Sequence, residues 1–227
     1  RTIDEGSMDE DSGMNFSEYV AVLSGNTDLL EKAKLDKKIT ALESERKNFL
    51  RERNGAIGKL AEIDHSLSYH TGKIQEAKKD LACFEQRVER DAEGNPVNRL
   101  SIKGVEDCSD IKVIAHRLQE IEEKARTNGE YNKIGELYGF SVMVKTESSS
   151  QNLFDLSVNR FFVKGEGSIY YTYNNGKLAN DPKLACLNFF NALERIPKVI
   201  ESHEKEIAKV SANKEVYTAI ANSSWKK

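Results

Sequence analysis

Residues 35–88 of the chain read LDKKITALESERKNFLRERNGAIGKLAEIDHSLSYHTGKIQEAKKDLACFEQRV. Steps of four and three through this segment land on sixteen positions, of which thirteen are apolar: Leu35, Ile39, Leu42, Arg46, Phe49, Arg53, Ala56, Leu60, Ile63, Leu67, His70, Ile74, Ala77, Leu81, Phe84 and Val88. A spacing of about 3.5 residues is that of a coiled-coil seam. We therefore expect a helix of about 80 Å, which needs a partner helix to bury its apolar stripe.

The ends of this helix have recognisable signals. Asp28, with Glu31 three residues later, predicts its start as a capping box. Gly94 and the proline that follows predict its end. Glycine costs roughly 1 kcal/mol in a helix relative to alanine, so the glycines between residues 54 and 58 predict a bend.

A second seam with the same spacing lies near the end of the chain and predicts the partner helix. Asp181 as N-cap and Pro182 as first helical residue predict its start. Pro197 predicts a kink, because proline removes a backbone hydrogen bond. The seam positions are Leu193, Ile196, Ile200, His203, Ile207, Val210, Lys214, Tyr217 and Ala221. The simplest arrangement is an intramolecular antiparallel coiled coil, and intermolecular pairing of each helix is the alternative.

The segment between the two helices changes period. Arg99–Lys103 predicts a short strand and Ser109–Arg126 a helix. Runs rich in β-branched and aromatic residues then predict three strands, over Leu137–Thr146, Leu153–Lys164 and Ser168–Asn174. The short turns between them favour antiparallel pairing, so the expected order is β-α-β-β-β.

Together these elements predict an α+β protein that is mostly α: a long antiparallel coiled-coil hairpin with a small α/β domain at its tip. The expected organisation is an acidic leader with a short helix (1–27), the first coiled-coil helix (28–94), the α/β tip domain (95–180) and the returning helix, kinked near Pro197 (181–227).

The composition agrees with thinly packed helices. Of the 227 residues, 38% are hydrophobic and 31% charged, against about 45–50% apolar and about 25% charged in a compact globule. No run approaches 18 apolar residues, so no membrane span is predicted. The three widely spaced cysteines give neither a disulfide framework nor a zinc motif. His65 and His70 are five residues apart, where helical metal ligands are three or four apart, so we predict no metal site.

Charge is segregated along the chain. Residues 1–28 carry seven acids and one base, whereas residues 31–90 carry 14 Lys or Arg against 11 Asp or Glu. The formal net charge of −3 therefore combines an acidic leader with a mildly basic helix. Mixed charge is typical of exposed coiled-coil positions, and the alternative is a rod beside nucleic acid. The sequence pI of 5.9 argues against a dedicated DNA-binding domain, for which a pI above about 9 is expected.

The predicted sheet carries an interleaving of basic and aromatic residues that is the strongest in the chain. Such residues can stack bases and hold phosphates. The alternative is that alternation along the strands places half of the aromatic residues in the core. The candidate nucleic-acid-binding residues are Lys145, Arg160, Lys164, Tyr170, Tyr171 and Lys177.

Motifs for catalysis are missing from the sequence. A phosphate-binding loop ends in G-K-[ST], but Gly58, Gly72 and Gly176 are followed by Lys and then an apolar residue. Asn95-Pro96-Val97 lacks the Asn-Pro-Pro-aromatic pattern expected of an adenine-type amino-methyltransferase. There is no G-x-S-x-G elbow. We therefore expect no catalytic residue and no cofactor in this segment.

Several runs resemble a known family over nearly the whole chain. They are MNFSEYVAVLSG (14–25), LLEKAKLDKKITALE (29–43), NRFFVKGEG (159–167), YTYNNG (171–176) and NDPKLACLNFFNALERIPKV (180–199). They resemble very large proteins of Bacteroidales mobile elements such as conjugative transposons, usually called DNA methylases or SNF2-like helicases. Phage antirestriction proteins with a fused methyltransferase and helicase are similar.

The resemblance implies that this chain is a C-terminal accessory module of a DNA methylase/helicase. Its first residue is Arg1, so we expect an excised piece of a longer cytoplasmic protein. The implied partners are the helicase lobes of that protein and DNA, with ATP and S-adenosylmethionine as cofactors of the parent. The coiled coil also allows a homodimer. A protein-interaction or oligomerisation rod without nucleic-acid binding is the alternative.

Overall fold

The computed structural model describes residues 16–148 and 157–225, and the chain is α+β, mostly α. Its helices are α1 (Phe16–Leu23), α2 (Thr27–Arg87), α3 (Ile111–Lys124), α4 (Pro182–Glu194) and α5 (Ile196–Ala221). Its strands are β1 (Ser101–Ile102), β2 (Asn132–Leu137), β3 (Phe140–Ser148), β4 (Ser157–Lys164) and β5 (Tyr170–Tyr171). None of the helices in the described ranges is both long enough and apolar enough to cross a membrane.

The chain divides into two compact units. The helical unit consists of Arg1–Ile63 and Asn213–Lys227, and the sheet unit consists of Asp64–Ala212. Helices α2 and α5 contribute residues to both units, whereas all five strands belong to the sheet unit. Residues 1–15 of the predicted acidic leader lie outside the described residues.

Helix α2 begins one residue before the predicted cap. The Asn26 side chain accepts hydrogen bonds from the backbone N–H groups of Asp28 (3.0 Å) and Leu29 (3.3 Å). Asn26 rather than Asp28 therefore caps the helix, and the capping-box prediction is wrong. The helix then runs without interruption through Gly55 and Gly58.

The seams predict burial correctly over most of their length. Every α2 seam position from Phe49 to Phe84, and every position of the second seam, is buried or half-buried. Leu35 and Ile39 are different, because each is about half exposed (52% and 51%). The seam pattern therefore continues into a part of α2 that the described residues cover only partly.

The returning part of the chain contacts α2 in both units, and the order is antiparallel in the sheet unit, where two contacts define it. In the sheet unit, His70 meets His203 (Nδ1 to Nδ1, 2.7 Å). Further along α2, Phe84 contacts Phe190 of α4, with ring centroids 5.5 Å apart. A later residue of α2 thus contacts an earlier residue of the returning segment, which is antiparallel order. In the helical unit, the Phe49 ring lies 5.4 Å from the Trp225 ring. The pairing is intramolecular.

The returning helix is two helices. Asp181 caps α4 as predicted, since its carboxylate accepts a hydrogen bond from the Leu184 N–H at 2.8 Å. The break comes at Arg195, between α4 and α5, and not as a kink within one helix. Pro197 lies in the first turn of α5, where its missing N–H has no intrahelical partner to lose.

The sheet is an antiparallel meander of five strands in the order β1-β2-β3-β4-β5. The predicted order had one strand too few, because Leu137 ends β2 and does not begin β3. The two strands are joined by Tyr138 and Gly139, both with positive φ (51° and 81°). This backbone is that of a two-residue type I′ turn, which is usually Asn-Gly or Asp-Gly. The turn has tyrosine at its first position, so the sequence does not show the usual signal.

Strands β1 and β5 are shorter than predicted. Strand β1 covers two of the five expected residues, and β5 covers Tyr170–Tyr171 only. A 3₁₀ turn at Asn174–Gly176 replaces the end of the last predicted strand. Residues 153–156 of the predicted Leu153–Lys164 strand lie outside the described residues, and β4 is described from Ser157.

The inner face of the sheet packs against helices and forms the core. Its residues alternate along β3 and β4, as expected for strands, and they pack with residues of α3, α4 and the last turns of α2. The largest fully buried side chains are Phe140, Ile102, Ile114, Leu118, Leu193, Ile196, Val142 and Val163.

A buried polar network closes the end of α3. Asn159 on β4 donates from Nδ2 to the carbonyls of Glu122 (2.6 Å) and Ala125 (3.1 Å). The Thr146 hydroxyl donates to Asn159 Oδ1 at 2.6 Å. The last carbonyls of a helix have no intrahelical partner, so this network satisfies them with side chains from the sheet.

Helix α2 holds the β4–β5 turn with three polar residues on one face. Glu76 accepts hydrogen bonds from the Ser168 N–H (3.0 Å) and hydroxyl (2.8 Å), and Lys73 contacts the same hydroxyl. Asp80, only 5% exposed, accepts a hydrogen bond from the Tyr171 hydroxyl at 2.8 Å. We call these contacts the α2 latch, because they join the helix to the sheet edge.

Glycine is required where the latch meets the turn. A Cβ on Gly165 would collide with both carboxylate oxygens of Asp80. Gly165→Ala should therefore lower the free energy of unfolding by about 1–3 kcal/mol, as overpacking does. Gly72→Ala is the matched control on α2, where a Cβ meets nothing within 4 Å, and it should stabilise by about 1 kcal/mol. Urea unfolding measures both, and a Gly165→Ala chain as stable as the parent would contradict the latch.

The latch also predicts a pH dependence. Burial raises the pKa of Asp80 above its ordinary value of 3.8, and nearby Glu76 and Glu166 add to this effect. The folded chain therefore binds this proton more tightly than the unfolded chain, so the contribution of Asp80 to stability falls as pH rises from 3.8 through the raised pKa.

Asp80→Asn removes this titration. The stability of the variant relative to the parent should therefore rise with pH through the window that starts near pH 3.8. Unfolding free energies measured for both chains from about pH 4 to pH 8 test this expectation. A difference that does not change with pH would show that Asp80 titrates as it does in the unfolded chain.

Candidate nucleic-acid interface

The outer face of the sheet presents cations and aromatic rings at alternate strand positions. Lys145 on β3 lies opposite Arg160 on β4, and Lys164 on β4 lies opposite Tyr170 on β5. Phe162 lies between the two β4 cations on the same face, because successive strand residues point to opposite faces. Alternation thus places these five side chains on one surface.

Three aromatic residues form a cluster on this face. The Tyr131 and Tyr170 rings stack with centroids 3.8 Å apart and planes inclined by 17°. The Phe162 ring meets them edge-on, at 5.2 Å from Tyr131 and 6.3 Å from Tyr170. All three side chains are half-buried, so we call them the outer-face aromatic cluster.

Two lysines lie over the stacked rings. Lys145 Nζ is 4.9 Å from the centroid of Tyr131, and Lys164 Nζ is 5.4 Å from the centroid of Tyr170. Both distances are within the roughly 6 Å range of cation–π attraction. Each ammonium group therefore lies over one ring of the stacked pair.

The other cations of this face have acidic partners. Arg160 Nε lies 3.7 Å from Glu147 Oε2, and Lys133 Nζ lies 3.3 Å from Glu136 Oε2. Within the described ranges, Lys145 and Lys164 have no ion pair. The positive charge available to a ligand on this face is therefore concentrated at the two lysines beside the rings.

Tyr171 does not belong to this surface. It is 2% exposed and faces the core, where its hydroxyl donates to Asp80. Burial and the Asp80 carboxylate both raise the pKa of Tyr171 far above its ordinary value. The pair Tyr170–Tyr171 illustrates the strand alternation, since only the first of the two rings is available for stacking.

Lys177 is exposed and follows the 3₁₀ turn after β5. The turn is fixed at Gly176, whose φ is +73° and whose missing Cβ would collide with the backbone of Phe161. In the described part of the chain, Lys177 forms no ion pair and lies over no ring. The structure therefore brings Lys145, Arg160, Lys164 and Tyr170 together, and leaves Lys177 beside this group.

Sequence reasoning missed Tyr131 as a site residue and did not select Phe162. Phe162 lies two residues from both Arg160 and Lys164, so strand alternation alone predicts that the three share one face. Tyr131 directly precedes β2, the strand that was not predicted. Its position on the outer face follows only from the β2–β3 pairing, in which Asn132 lies opposite Val144.

A second polar group lies between the seam helices of the sheet unit. The His70 and His203 rings share the Nδ1 to Nδ1 hydrogen bond, so one ring donates and the other accepts. Burial lowers the pKa of His203, and the neighbouring His70 and Lys73 lower it further. No three His, Cys, Asp or Glu side chains in the described ranges lie close enough together to hold a metal ion.

A comparison with protein-family models gives a match over part of the chain. A family model described as Domain of unknown function (DUF8438) matches residues 85–193, a segment that includes α3, all five strands and most of α4. No curated protein and no solved structure matches the chain. The matched segment contains the whole outer-face aromatic cluster with both of its lysines.

Proposed function

We propose that this chain is a non-catalytic accessory module of a large DNA methylase/helicase protein of a mobile element, and that it contacts DNA through the outer face of its sheet. The observation that carries the DNA contact is the outer-face aromatic cluster with Lys145 and Lys164 above its rings. The attribution to a methylase/helicase rests on the resemblance of the sequence runs.

The chemistry of the face supports this assignment. Stacking of a base on an aromatic side chain contributes about 1–3 kcal/mol per base. Lysine beside the ring neutralises the phosphate of the same nucleotide, which adds an attraction that depends on salt. The module would thus hold DNA near the parent protein in the cytoplasm, while domains of the parent bind ATP and S-adenosylmethionine.

DNA binding by the 227-residue chain should strengthen as salt falls, because phosphate contacts release counterions. Fluorescence anisotropy with a labelled DNA of mixed single-stranded and duplex character, at about 50 mM and about 200 mM salt, measures this. Lys145→Gln combined with Lys164→Gln should abolish most of the salt dependence. Lys183→Gln, an exposed lysine of α4, is the matched control. A folded chain that binds no DNA at the lower salt would refute the DNA contact.

A second candidate function is self-association, and a feature of α1 favours it. Glu18 and Ala21 are the buried residues of this helix, and Glu18 lies 3.6 Å from Lys37 of α2. The opposite side of α1 carries an exposed apolar stripe at helical spacing. It consists of Phe16, Tyr19, Val20 and Leu23, which are 78%, 46%, 45% and 70% exposed.

In this candidate function a second copy of the chain covers the exposed stripe of α1, because helices bury apolar stripes of this spacing against one another. Light scattering should then show a mass that rises towards a dimer with concentration, and Phe16→Ser with Leu23→Ser should return it to the monomer. Val216→Ser removes a similarly exposed residue (58%) on α5 and should change nothing. A strict monomer at high micromolar concentration would exclude self-association.

A further inference from the structure

We propose that the outer face of the sheet selects single-stranded DNA over duplex DNA. The inference rests on the proposed function, because it names the form of DNA that the same surface takes. Two independent observations carry it: the geometry of the ring stack, and the small number of cations available for phosphates.

The ring geometry requires bases that are not paired. Tyr131 and Tyr170 are nearly parallel at 3.8 Å, close to the spacing of about 3.4 Å between neighbouring bases of one strand. A nucleobase can continue this stack only if its own face is free. In a duplex both faces of each internal base are covered by neighbouring bases, so the rings could reach only the ends.

The charge of the face is too small for a duplex. Backbone binding to double-stranded DNA draws its affinity from the phosphates that the protein neutralises, for example about 6–10 of them in a strongly salt-dependent complex. Here Arg160 and Lys133 are held by Glu147 and Glu136. Lys145 and Lys164 are therefore the cations left on the face itself, and Lys177 lies to one side of it. Two phosphate contacts suit a short single strand, whose affinity comes mainly from stacking.

The lysines also indicate how the strand enters. Each ammonium group lies over the face of one ring in the free protein, at 4.9 Å and 5.4 Å from the ring centroids. Both lysines are half-buried and have long flexible stems. When a base takes the ring face, the ammonium group can turn to the phosphate of that nucleotide. Binding therefore exchanges a cation–π contact for a stacked base and an ion pair.

Anisotropy with labelled oligothymidylate of about 12 nucleotides, and with the same strand annealed to oligoadenylate, tests the selectivity on the full chain. The single strand should bind roughly 30-fold more tightly, which corresponds to two stacked bases at the low end of their measured contribution. The slope of log K against log salt for the single strand should be about −1.4, from two phosphate contacts.

Substitutions test the contribution of the ring stack and that of the two lysines separately. Tyr131→Ala and Tyr170→Ala should each weaken single-strand binding at least about fivefold without changing the salt slope. Lys145→Gln with Lys164→Gln should bring the slope close to zero. Tyr69→Ala, which removes an exposed tyrosine of α2 (53%), should change neither. Circular dichroism checks folding. If a tyrosine variant unfolds, the lysine variant keeps the test valid, because it removes two charges and leaves the aromatic rings in place.

The outcomes distinguish the inference from the proposed function. Tight single-strand binding with weak duplex binding supports both. Duplex binding as tight as single-strand binding overturns the selectivity and leaves the DNA contact in place. Binding of neither form overturns the proposed function itself, and single-strand binding that survives both tyrosine substitutions overturns the stacking argument.

Discussion

An antiparallel sheet with one apolar face must be covered on that face, and this constraint organises the sheet unit. Helices α3 and α4 supply the cover, and the last turns of α2 add Ala77 and Phe84 to the same core. All of this helical cover lies on the inner face. Alternate residues of a strand point to opposite faces, so the inward-facing residues determine which residues face outwards. The rings and lysines of the outer face lie together for this reason.

The contacts between the helices and the sheet are specified by polar groups as well as by apolar packing. Asp80 and Tyr171 are both buried and satisfy one another, and Asn159 satisfies the end of α3. A buried polar group without a partner costs free energy, so a shift of the strands against the helices would be penalised at both places. These groups thus fix which strand residues face inwards, and hence which rings face outwards.

Much of the fold follows from patterns that the sequence displays openly. The 3.5-residue spacing predicted both seam helices, and Asp181-Pro182 predicted the start of α4. Local sequence patterns failed to predict the features that depend on contacts between distant residues. Strand β2 has few apolar residues, and Gly135 lies against the backbone of β1; its turn to β3 places Tyr138 at positive φ. Leu35 and Ile39 match the seam, yet each stays about half exposed among the described residues. At the candidate site, strand alternation is enough to place Phe162 on the outer face. Tyr131 lies next to Tyr170 only because of the strand pairing, which no local pattern encodes.

The central claim is that bases stack on the outer face of the sheet. Photocrosslinking tests it most directly: the full chain is irradiated with an oligothymidylate that carries one 5-iododeoxyuridine, and the crosslinked peptide is identified by mass spectrometry. The account predicts crosslinks at Tyr131, Phe162 or Tyr170, which lie within 6.3 Å of one another by ring centroid. Crosslinks confined to the helices, with none on the outer-face aromatic cluster, would contradict it.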